Sequence, residues 1–117
     1  VNFTRRIAHL PITKNGDSRD VPLSKRALEL LEQLRGIDDD WVFNLDAQSL
    51  DVLFRRARDN CGIIDLHFHD TRREALTRLS KKVPVEVLAK ISGHRDLRIL
   101  LNVYYRPDMA DIAQMLD

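Results

Sequence analysis

Apolar positions along this chain follow two different periods, and the change between them sets the expected architecture. Residues near Ile7 to Ile12 and Asp20 to Leu23 flank Asn15-Gly16, a tight-turn signal, so a β-hairpin is predicted over about residues 5–23. Lys14 falls at the edge of that turn. From Ser24 onward the spacing is helical. Ser24 is placed to cap a helix running to about Arg35, with Leu28, Leu31 and Leu34 as its stripe and Gly36 available for its C-terminal turn. The apolar run Trp41-Val42-Phe43 is expected to anchor the following loop in the core. Ser49 is the expected cap of the next helix, in which Leu50, Leu53, Phe54 and Ala57 recur at helical spacing while Arg55 and Arg58 fall off the stripe.

The segment Asp65 to His69 alternates, and an extended reading buries Leu66 and Phe68 and turns His67 and His69 the same way. Thr71 and Glu74 stand at capping-box spacing, which predicts a helix starting at the Arg72-Arg73 pair. Arg72 then lies in a first turn, where free backbone N–H groups also favour anions. Pro84 suits another first turn, with Val87, Leu88 and Ile91 as the apolar face and Gly93 as the stop. Leu97, Leu100, Leu101 and Tyr104 repeat in the same way, and Pro107 closes that helix. Asp108 is placed to cap a final amphipathic one carrying Met109, Ile112, Ala113 and Leu116. The expected fold is mainly α with a small N-terminal β-hairpin (α+β), hairpin about 5–23 and helical remainder 24–117.

Composition adds limits. At 117 residues and 44% hydrophobic the chain has enough apolar material for a single core and no sign of a second domain. Charged residues make up 32% but nearly cancel at a net charge of +1, so bulk electrostatics does not by itself point to nucleic acid. Clustering says more. Arg55-Arg56-Ala57-Arg58, Arg72-Arg73, Lys81-Lys82 and Arg95 with Arg98 gather in the second half, and read either as a basic face or as solvated helix surface. The single cysteine, Cys61, cannot form an internal disulfide and is expected to pack where a helix ends. No apolar run reaches the length of a membrane span and no signal peptide is visible, so a cytoplasmic location is the default.

The candidate chemistry lies in His69-Asp70-Thr71-Arg72, Gly93-His94 and Tyr104-Tyr105, an ordered set that helical packing can bring to one pocket. Arg72 offers a permanently charged fork matched to phosphate oxygens. The imidazoles of His69 and His94 can donate to a phosphate or move a proton. A tyrosine hydroxyl becomes a competent nucleophile when neighbouring cations favour the phenolate. Such a site requires no metal and no cofactor. His67 and His69 form a His-x-His pair of the kind that binds transition metals, but no further ligand cluster supports it. Clustered carboxylates that would hold the ion of a metal-dependent nuclease are absent.

In order and context these residues resemble the tyrosine recombinases, the phage-type integrases. The family's H-x-x-R motif matches His69 to Arg72, its Gly-His matches Gly93-His94, and its nucleophile, about ten residues on, matches Tyr104 better than Tyr105. Thr13-Lys14-Asn15-Gly16 followed by Arg19-Asp20-Val21-Pro22-Leu23 is similar to the family's hairpin, whose lysine enters the active site. The resemblance runs over essentially the whole chain. It implies catalytic roles for Lys14, His69, Arg72, His94 and Tyr104, and double-stranded DNA as partner, with Arg55, Arg58, Arg73 and Arg95 as candidate DNA contacts. It also implies a homo-oligomer, dimer or tetramer, on DNA. Two departures stand out. The family's first arginine, which precedes the hairpin, has no counterpart here, and Thr71 and Arg73 replace the frequent leucine and histidine. The first implies the C-terminal part of a catalytic domain.

Blander readings exist for single residues. Lys14 at a hairpin edge is commonly a solubility lysine, and Tyr104 is also a core tyrosine ending an apolar stripe. Ala89 and Gly93, four apart between two predicted helices, fit a non-catalytic helix-turn-helix module. That alternative gives no role to Lys14, to His69 with Arg72, or to the tyrosines.

Overall fold

A computed structural model describes residues 1–117 and contains two strands and six helices, with about half of the chain helical. Strands β1 (Ile7–Leu10) and β2 (Arg19–Pro22) pair antiparallel, with Ile7 opposite Pro22 and Leu10 opposite Arg19. The Asn15-Gly16 turn forms, with the Gly16 N–H donating to Thr13 O at 2.9 Å and Gly16 at φ +81°. It is not a two-residue hairpin turn. It sits within a longer connection over residues 11–18, which carries Lys14 beyond the end of the ladder.

Helix α1 (Lys25–Leu34) begins as its sequence requires, with the Ser24 hydroxyl accepting from the Ala27 N–H. Helix α2 (Ala47–Asn60) starts earlier than expected. Its cap is Asp46, whose carboxylate accepts from Ser49 N–H at 2.7 Å, so Ser49 lies inside the first turn. An ionised carboxylate next to the free amides of a helix start outcompetes a hydroxyl three residues on. The hydrogen bonds from Ser49 hold the Asp46 pKa below its ordinary value.

Two further expectations fail around α3 (Asp70–Ser80). The extended segment 65–69 is irregular, because Asp65 adopts φ +60° and the Asp70 carboxylate accepts from the His67 N–H at 2.9 Å, folding the chain into a turn. Phe68 is 47% exposed and meets Phe54 edge-on at 5.6 Å instead of being buried. The capping box does not form either. The Thr71 hydroxyl donates to Phe68 O, Glu74 pairs with Arg78, and α3 begins at Asp70 before the arginines.

Helices α4 (Val85–Ser92), α5 (Leu97–Tyr104) and α6 (Met109–Met115) follow, with Gly93 in the left-handed conformation ending α4 and Asp108 capping α6. The core lies where α3, α4 and α5 meet. Leu76, Leu88, Ala89 and Leu100 are buried there, with Leu79, Val83, Val85, Tyr104 and Tyr105 packed around them. Strand β2 leans on α4, whereas α1, α2 and α6 make no close backbone approach to any other element. Trp41 and Phe43 are correspondingly exposed, at 67% and 66%, and do not anchor a loop in the core. Cys61 ends α2 but is exposed. No helix is long and apolar enough to cross a membrane.

Candidate functional site

A polar cleft opens where the hairpin connection reaches the start of α3 and the end of α4. Lys14, Asn15, Arg19, His69, Arg72 and His94 line it, with Leu10 and Ile12 as its apolar residues. Four of the five catalytic candidates therefore border one space although three different segments supply them.

Each is positioned by local structure. Lys14 occupies the second position of the Thr13–Gly16 turn and is exposed. His69 takes the cap position of α3 in helical conformation without a side-chain capping bond, which leaves its imidazole uncommitted to the helix. Arg72 lies in the first turn of α3 and donates Nη2–H to Ser92 O at 2.8 Å. A guanidinium carries five N–H donors in a fixed plane, so that bond fixes the fork while other donors remain for an anion. His94 follows the left-handed Gly93, and its Nδ1 lies 2.6 Å from the Ser92 hydroxyl oxygen. Burial first, then the charges of Arg72 and Arg19, hold its pKa below the usual histidine value, so its neutral form is favoured.

Two residues of this cleft were not among the candidates read from the sequence. Arg19 on β2 donates Nη1–H to Ser92 O at 2.9 Å, the same carbonyl that Arg72 uses, and its buried Nε has no acceptor. Ser92 is buried at 4% exposure, the one buried polar residue of the chain. A strand arginine opposite Leu10 and next to a polar connection was the signal available for Arg19. Ser92 offered none, since its carbonyl, which every residue possesses, receives both arginines.

The cleft's two walls are tied together. Asn15 Nδ2 donates to Gly93 O at 2.9 Å, and Arg95 Nη2 donates to Asn15 O and to an Asp17 carboxylate oxygen. Gly93 is needed for this approach: it sits at φ +81°, and a Cβ there would fall 1.8 Å from Arg19 Nη1.

The tyrosines lie apart from the cleft lining. Tyr104 ends α5, half-buried against the apolar cluster. Tyr105 donates its hydroxyl to Val83 O at 2.6 Å, and burial, then the charge of Glu86, raise its pKa, which disfavours a phenolate. Among the candidate DNA contacts, Arg55 pairs with Asp51 at 3.0 Å and Arg95 with Asp17, both in exposed positions. Arg58 does not point away from the apolar stripe into solvent. Its side chain is 19% exposed and bonds Leu66 O and Asp59, because the turn after α2 folds back over it. Arg73 is exposed on α3.

An anion with several oxygens fits such a cleft: two guanidinium groups, a lysine and two imidazoles converge with no carboxylate in the lining. Comparison with known proteins gives this geometry a context. The profile of the phage integrase family matches residues 1–111. Two Haemophilus influenzae proteins carrying the name integrase/recombinase are 56% and 54% identical to the chain, over matches that cover 100% and 95% of it and 39% and 31% of their own lengths. A shufflon-specific DNA recombinase of Escherichia coli is 41% identical, over 86% of this chain and 27% of its own. The chain thus spans well under half the length of these relatives. No solved structure matches it.

Proposed function

Because this chain belongs to the phage integrase family, we propose that the protein carrying it is a site-specific DNA recombinase that cuts and rejoins strands through a 3′-phosphotyrosyl intermediate. The observation that carries the reading is the convergence of Lys14, His69, Arg72 and His94 on one cleft from separate segments. Arg72 and His94 hold the scissile phosphate and stabilise the charge that builds on its oxygens. The Tyr104 oxygen attacks phosphorus, its proton leaving with help from His69, and the bond to the 5′ oxygen breaks as Lys14 protonates that oxygen. Rejoining reverses these steps, and the phosphotyrosyl bond conserves the energy needed for it. No metal or nucleotide cofactor takes part.

Tyr104 is favoured over Tyr105 because the latter's hydroxyl is engaged with Val83 O. In this reading the end of α5 moves when DNA binds and brings Tyr104 to the cleft, since catalytic contacts often tighten only in the substrate complex. The chain forms the C-terminal part of a catalytic domain that works as a dimer or tetramer on paired DNA sites. A helix-turn-helix reading of α4 and α5 leaves the convergence of Lys14 and His69 on the cleft without a purpose.

A nicked suicide DNA substrate given to the protein as encoded tests the reading. A covalent protein–DNA adduct is expected, lost in Tyr104→Phe and retained in Tyr105→Phe. An adduct that persists in Tyr104→Phe and disappears in Tyr105→Phe would reverse the assignment, and sequence-specific binding without any adduct would favour the helix-turn-helix module.

A further inference from the structure

We propose that Ser92 is a positioning residue for the cleft, its hydroxyl donating to Nδ1 of His94 and thereby fixing the imidazole as the tautomer that presents Nε2–H to the bound anion. That the anion is a DNA phosphate rests on the recombinase reading; the hold of Ser92 on His94 does not.

Ser92 is the last residue of α4 and is followed by the left-handed Gly93. Its hydroxyl has one proton and two neighbours: Ala89 O at 3.4 Å and His94 Nδ1 at 2.6 Å. The first is at the outer limit of a hydrogen bond and the second is short, so the proton belongs with the imidazole. A hydroxyl that donates to Nδ1 needs a lone pair there, which puts the ring's own proton on Nε2. Protonating His94 turns Nδ1 into a donor and forces the Ser92 hydroxyl back to the distant Ala89 carbonyl. The charges facing His94 act in the same direction, Arg72 from α3 and Arg19 from β2, while Lys14 and His69 border the same cleft. His94 is thus a fixed neutral donor, and the guanidinium groups supply the charge.

Ser92 acts through two separable groups. Its carbonyl gathers Arg19 and Arg72, and any residue at this position provides it. Its hydroxyl alone orients His94. Ser92→Ala therefore removes one function and keeps the other, in a buried position that accepts a smaller side chain.

The test reads the tautomer and the chemistry separately. Long-range proton–nitrogen spectra of the protein as encoded, labelled with 15N-histidine, should show neutral His94 protonated on Nε2 in the wild type, a mixture of tautomers in Ser92→Ala, and the wild-type form again in Ser92→Thr. With the suicide substrate, Ser92→Ala should form adduct about tenfold to a hundredfold more slowly, the range typical of losing a residue that orients a reacting group. DNA affinity and melting temperature should stay near wild type. Ser92→Cys, close in size and a weaker donor, provides a second disrupted variant if Ser92→Ala melts early. A wild-type His94 protonated on Nδ1, or a tautomer unchanged in Ser92→Ala, overturns the proposal. A shifted tautomer with an unchanged adduct rate overturns the part of Ser92 in the reaction. Absence of any adduct in the wild type counts against the recombinase reading, and the spectra then decide the Ser92 proposal alone.

Discussion

At the scale of single residues, the cleft sets one partly buried imidazole, His94, beside the guanidinium groups of Arg72 and Arg19. Burial and the neighbouring Arg72 and Arg19 lower the His94 pKa from its ordinary 6.5, so near and below that value the unfolded chain binds more protons at this position than the folded one. Stability contributed by His94 is therefore complete above about pH 6.5 and falls as the pH drops toward its lowered folded value. Urea denaturation of the protein as encoded at a series of pH values should show this loss, and His94→Gln should flatten it within that window. Carboxylates such as Asp38 and Asp46, whose pKa values are lowered by backbone amides, lose their contribution only in more acidic solution. The family resemblance led Lys14, His69, Arg72 and His94 to be expected in one space, and they line one cleft, whereas the tyrosines expected with them lie outside its lining. Arg19 and Ser92 were not expected there, because what matters is a shared backbone carbonyl, and sequence does not record where a carbonyl points.

At the scale of elements, the Asn15-Gly16 turn signal located the hairpin, and apolar spacing together with capping residues located the six helices, with less success at their starts. Ser24 and Asp108 cap as the sequence suggests, while Asp46 displaces Ser49 and the Thr71–Glu74 box is abandoned. At α2 the Asp46 carboxylate takes the free amide of Ser49, and at α3 the Thr71 hydroxyl is spent on Phe68 O, so neither predicted cap is available. Asp46→Ala should accordingly lower the midpoint of thermal unfolding followed in the far ultraviolet, and Ser49→Ala should lower it less. The alternation of residues 65–69 misled because a turn that closes on the Asp70 carboxylate has the same apolar spacing as a short strand.

At the scale of the whole molecule, the chain leaves much of its apolar surface open. Five residues are buried, and the radius of gyration is 17.5 Å against about 13 Å for a compact domain of this size. An apolar groove between β1 and α1, lined by Ala8, Leu10, Leu23, Ala27 and Leu31, is uncovered. Trp41, the only tryptophan, is expected to be strongly quenched by acrylamide in the 117-residue chain produced by itself; a protected Trp41 would mean that the chain collapses on this side. The sequence showed which residues were apolar but not that they lacked partners, because a hydrophobic stripe is the same whether or not something covers it.

The ties between the hairpin connection and the α4–α5 turn bear on how the site is assembled. Asn15 reaches Gly93 across 78 positions of chain, Arg19 reaches Ser92 across 73, and Arg95 reaches Asn15 across 80. Local helices form without such closures, and contacts this distant cost the entropy of joining the ends of a long loop before they return any energy. The cleft thus exists only once these distant contacts close, and helix content alone reports nothing about whether it has formed.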